Sequence, residues 1–136
     1  MTLLRLSIFS LCLSLSYSAF AQTSEKLTLE KNLKVWQPTE ISNKNNIITV
    51  VLPGKNLTPE AYESIVTGGI CMPIWTKDAP NKYLEKIKEL NIVNQYKVLG
   101  FTVESPASTC AEMGKLMDKP GKAYLASKTR MYIPAK

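Results

Sequence analysis

The sequence predicts an α+β domain: a small three- or four-stranded mixed or antiparallel sheet, about three helices largely on one side, and one disulfide. Three observations carry this expectation. Short apolar runs of strand length alternate with stretches of helical period, the connections between them are short, and two cysteines remain once an N-terminal export signal is removed. With 136 residues, 45% apolar and 21% charged, the chain is neither a disordered polymer nor a polytopic membrane protein. No family is recognisable from its motifs.

Residues 1–21 read as a cleaved secretory signal. Arg5 supplies the positive start, Leu6 to Leu15 an apolar stretch interleaved with serines, and Ala19-Phe20-Ala21 a small-x-small cleavage pattern. The apolar run is shorter than the roughly 18–20 residues that span a bilayer. Cys12 follows Leu11, where a lipidation site wants a small residue, so no lipid anchor is expected. Residues 22–46 read as a polar leader whose apolar members, Leu27, Leu29, Leu33, Val35 and Trp36, keep no clear period. A single α+β domain is expected over 47–136.

Within that domain, residues 47–52 form a continuous β-branched run stopped by Pro53-Gly54, hence a buried strand. Thr58-Pro59-Glu60 combines an N-cap hydroxyl, proline at the first helical position and an early acid. The helix it starts presents Ala61, Tyr62, Ile65 and Val66 inward, and Gly68-Gly69 is expected to end it. Residues 70–75 are apolar, carry Cys71 and are expected to be buried, with Pro73 arguing against a central strand. A second helix is expected to open at 78–81, with Tyr83, Leu84, Ile87 and Leu90 on its inner face. Residues 95–104 read as a strand. A third helix starts at Ser105-Pro106 or at the capping box Thr109-x-x-Glu112, carries Cys110 and stops before Lys119-Pro120-Gly121. A final strand is expected over 122–133.

Signal cleavage leaves Cys71 and Cys110, and in an oxidising compartment such a pair is expected to be joined. Closing a loop of about 40 residues is worth about 4 kcal/mol in the chain-entropy model. There is no CxxC and no neighbour that would activate either thiol, so the bridge reads as structural.

Removing 21 residues with Arg5 leaves a net charge of +5, and its placement is uneven. Residues 22–114 balance ten lysines against ten acids, whereas residues 115–136 carry six cations against Asp118 alone. On a strand period of two, Lys122, Tyr124, Lys128, Arg130 and Tyr132 share one face, and Leu125, Thr129, Met131 and Ile133 the other. Interleaved cations and rings form a candidate binding stripe for an anionic surface. The same stripe also reads more plainly, as a charged face that keeps a sheet edge soluble.

The chain contains no histidine, which excludes Ser-His-Asp and Cys-His catalysis and HExxH zinc chemistry. Asp78 and Asp118 flank helix boundaries, where capping is their expected role. Glu60 and Glu63 share an ordinary helix face. Ser127 and Lys128, adjacent on a strand, point apart. No catalytic residue, metal site or cofactor is expected. The preferred reading is a small exported non-enzymatic binding protein of the bacterial envelope, of inhibitor, immunity or assembly-accessory type, periplasmic or secreted, with another envelope protein or an anionic envelope surface as partner. Two alternatives stand beside it. One is a polyanion-binding module for nucleic acid, lipid headgroups or lipopolysaccharide, acting through the basic C-terminal strand, although no nucleic-acid motif is present. The other is a divergent hydrolase, whose first sign would be a concave pocket gathering Glu and Lys.

Overall fold

The computed structural model describes residues 24–136, so the expected signal sequence and the expected cleavage after Ala21 lie outside the described residues. The fold is α+β on a mixed five-stranded sheet in simple order: β1 (Glu40–Lys44), β2 (Ile47–Val51), β3 (Glu89–Val93), β4 (Gly100–Glu104) and β5 (Thr129–Met131). β2 and β3 run parallel, and every other neighbouring pair is antiparallel. The helices are α1 (Ser24–Asn32), α2 (Pro59–Ile65), α3 (Met72–Trp75), α4 (Pro106–Leu116) and α5 (Asp118–Ser127). A π-helical stretch, Val66–Cys71, joins α2 to α3. The sheet thus has one more strand than the upper expectation.

One face of the sheet meets the helices. Ile41, Ile48, Val50, Leu90, Ile92 and Val103 join Leu29, Leu33, Tyr62, Ile65, Ile70, Met113 and Leu125 in one cluster. Cys71 and Cys110, both buried, form the expected disulfide and fasten the end of the π-helical stretch to α4. The Trp75 indole N–H donates to the Cys110 carbonyl at 2.7 Å, locking α3 against the same point.

Five readings change. The segment expected as a leader supplies α1 and β1, with Leu29 and Leu33 wholly buried, since its leucines sit at i and i+4 on one helical face. Gly68-Gly69 does not stop the helix after α2, and neither glycine takes a positive φ. These residues supply room instead: a Cβ on Gly69 would strike Leu33 Cδ2, and Trp36 Cζ3 would lie at 3.0 Å.

The expected helix after residue 78 is a chain of tight turns. Each turn closes a three-residue bond, Pro80 to Tyr83, Lys82 to Glu85 and Leu84 to Ile87, and the left-handed Lys82 and Leu84 interrupt any helix. Tyr83, Leu84 and Ile87 are nevertheless buried, and Leu90 belongs to β3. Its counterpart β4 is shorter than the 95–104 expectation, because Asn94 organises a turn: its Oδ1 accepts from the N–H groups of Val98 and Leu99.

The fifth change bears on the candidate stripe. Residues 118–127 are helix α5, and only Thr129–Met131 pair as a strand. Pro120 falls in the first turn of α5, where its missing N–H is not needed, so it does not stop a helix there. Met131 and Ile133 are 62% and 73% exposed, against the inward placement expected of them.

Two tyrosines are buried in the core. Burial lifts Tyr62 to about 12, partly offset by its 2.7 Å hydrogen bond with Thr129 Oγ1. Burial chiefly, with a contribution from Glu25, raises Tyr83 too. A raised folded-state pKa means that the unfolded chain releases its phenol protons first. Stability should therefore hold up to about pH 10 and fall between there and about pH 12. Denaturation midpoints followed alongside tyrosinate absorbance test this, and Tyr62→Phe should flatten the decline.

Candidate functional site

A polar row crosses the sheet face turned away from the helices, flanked by Ile47 on one side and by Val51 and Val93 on the other. Strand register places Ser42, Thr49, Asn91, Thr102 and Arg130 side by side, one from each strand. Thr102 Oγ1 donates to Asn91 Oδ1 at 2.6 Å, and Asn91 Nδ2 donates to Thr49 Oγ1 at 3.2 Å. Thr102 and Asn91 are 0% and 6% exposed, so these bonds satisfy polar atoms largely out of water. The row floors a trough of about 310 Å³, with Lys44, Glu89 and the C-terminal residues Tyr132, Ile133 and Ala135 also lining it.

Electrostatics in the trough turn on Arg130. Register sets Glu89 directly opposite Glu104, a repulsive cross-strand pair. Arg130 answers both, at 2.8 Å from Glu89 Oε2 and 3.8 Å from Glu104 Oε1. Arg130→Ser should cost about 0.5–1 kcal/mol at low ionic strength and less in salt, because it exposes that repulsion. Urea denaturation at two salt concentrations measures the difference.

The expected stripe is therefore divided. Lys122 and Tyr124 lie on α5, Lys128 follows it, Arg130 is on β5 and Tyr132 lies just beyond. Lys122 is held at 2.9 Å by Glu63, whose hydrogen bond and charge raise the lysine's pKa. Lys128 sits 5.7 Å from the centre of the Tyr124 ring. Two pairs from the stripe thus stay together, Tyr124 with Lys128, and Arg130 with Tyr132 in the trough. Glu89, Asn91 and Thr102 were missed by sequence reasoning. The available signal was the polar Asn91 between Leu90 and Ile92, which marks a strand with one face turned from the core.

A second concavity, of about 440 Å³, lies on the helix side beside the disulfide. Trp75, Met113, Gly114 and Met117 line it, with Thr67, Asp118 and Lys122 at its margin. Leu116 and Met117, at the α4–α5 corner, are 42% and 75% exposed. Met117 and Asp118 both hold positive φ, so this corner presents Met117 outward on a strained backbone. A third, wider groove of about 590 Å³ between α1 and β1 gathers Lys26, Glu30, Lys34 and Glu40. Its carboxylates are exposed surface groups: Glu30 lies 3.8 Å from Lys26, and Glu40 lies 2.6 Å from Lys97.

Among the described residues, no three His, Cys, Asp or Glu side chains cluster as a metal site, and no helix is long and apolar enough to cross a membrane. No family model, curated protein or solved structure matches the chain.

Proposed function

We propose that this chain is a small exported binding protein without catalysis, of inhibitor, immunity or assembly-accessory type, that engages another protein of the bacterial envelope. Its docking surface is the helix-side cleft. The observation supporting this reading is the cleft's composition: an indole and two thioethers beside the exposed corner of Leu116 and Met117. Tryptophan is enriched among residues that dominate interface energy, and methionine adapts its shape to an apolar partner. A disulfide anchored immediately behind Trp75 holds the cleft's wall rigid, and disulfides belong to oxidising compartments such as the periplasm. The polyanion reading draws less support, because two of the stripe's three cations, Lys122 and Arg130, are matched by carboxylates.

A photo-crosslinking amino acid at position 117, introduced in living cells, tests the proposal. One discrete protein adduct is expected, absent when the same group sits at the exposed position 34 and reduced by Trp75→Ala. Identical smears from both positions would refute it.

A further inference from the structure

We propose that the trough on the helix-free face of the sheet is a binding site for an uncharged mono- or disaccharide. The inference rests on the trough alone and is independent of protein docking at the cleft, which lies on the other side of the sheet.

The chemistry of the floor selects the ligand class. Hydroxyls and a carboxamide both donate and accept hydrogen bonds, and so do the neighbouring hydroxyls of a sugar ring. Asn91 has two N–H groups and two acceptor positions, and its bonds to Thr49 and Thr102 use one of each. Thr49 accepts from Asn91 and keeps its own O–H to donate, with Ser42 beside it in the row. The internal bonds fix these groups before any ligand arrives, so little ordering remains to be done on binding.

Charge points the same way. The two cations in or beside the trough, Lys44 and Arg130, are balanced by Glu89 and Glu104, and Arg130 is held between both acids. A polyanion would find no net attraction here. An extended peptide would seek the free backbone groups of a sheet edge, whereas this site is a face, with its backbone engaged in the sheet. Tyr132 adds a half-buried ring to the wall, an apolar surface with a polar tip that suits the C–H face and hydroxyl rim of a sugar. The volume, about 310 Å³, lies at the lower end of small-molecule sites.

Titration of the ¹⁵N-labelled exported protein with maltose, cellobiose and N,N′-diacetylchitobiose, with inorganic phosphate in parallel, tests the assignment by amide shifts. At least one disaccharide should shift Thr49, Asn91 and Thr102 saturably, with Kd on the order of 1 mM or tighter. Tyr132→Ala should weaken that binding about tenfold, the scale of one aromatic contact, while Tyr132→Phe retains it. Should Tyr132→Ala fail to fold, Thr49→Val removes the free hydroxyl at nearly constant volume and should weaken binding likewise. Silence from all three sugars at their highest soluble concentrations would overturn the proposal. So would phosphate shifting these amides in their place, or sugar binding unchanged in both variants.

Discussion

Cys110→Ser should lower the unfolding free energy by about 2–5 kcal/mol, a large part of the total for a domain of this size. The bridge spans 39 positions, long enough for its loss to release substantial chain entropy in the unfolded state. Native packing suffers as well, since both cysteines are buried and the Cys110 carbonyl anchors the Trp75 indole. Paired urea denaturations of the wild type, with and without reductant, and of Cys71→Ala/Cys110→Ala separate the contributions. Reduced wild type and the double alanine variant should fall together, with Cys110→Ser lowest because its hydroxyl enters an apolar site. Equal stability of oxidised and reduced wild type would contradict this account.

Gly100→Ala should cost about 3 kcal/mol or more, although it adds only one methyl group. A Cβ at this position would strike the Ile92 carbonyl oxygen and lie 2.7 Å from Val93 Cα. Both atoms are backbone of β3, the central strand, which is hydrogen-bonded on both sides and cannot withdraw. Gly69→Ala provides the contrast. Its clash is with the flexible end of Leu33 and with Trp36, so about 1–2 kcal/mol is expected. Thermal and urea midpoints of the two variants should rank in that order, and the reverse ranking would show that β3 gives way more easily than a side chain.

Elements whose signals are local were legible. Thr58-Pro59 opens α2, and the Thr58 hydroxyl accepts from the Ala61 N–H at 3.1 Å as a cap should. Ser105-Pro106 marks the start of α4, and the disulfide followed from cysteine parity. Strand β2 announced itself by a β-branched run. What failed depended on tertiary context. Tyr83, Leu84, Ile87 and Leu90 repeat at helical spacing and are all buried, yet turns and a strand bury them as well as a helix would. Residues 122–133 alternate in polarity, but Leu125 reaches the core from α5, since Pro120 and Gly121 fit a first turn. The trough could not be foreseen, because Thr49, Asn91, Thr102 and Arg130 are scattered along the chain and only strand register aligns them.

The positions of Cys71 and Cys110 also determine how the chain would answer mechanical load. The covalent ring they close encloses β3 and β4, while α1, β1, β2, α5 and β5 lie on its two free arms. A pull applied at the termini peels those arms first. It then passes through the sulfur atoms and bypasses the central hairpin. About 130 Å of contour, 39 positions at up to about 3.4 Å each, stays hidden from extension until the bond is reduced. Under tension the oxidised and reduced proteins are therefore tethers of different length, and a thiol reductant lengthens the tether in a single step.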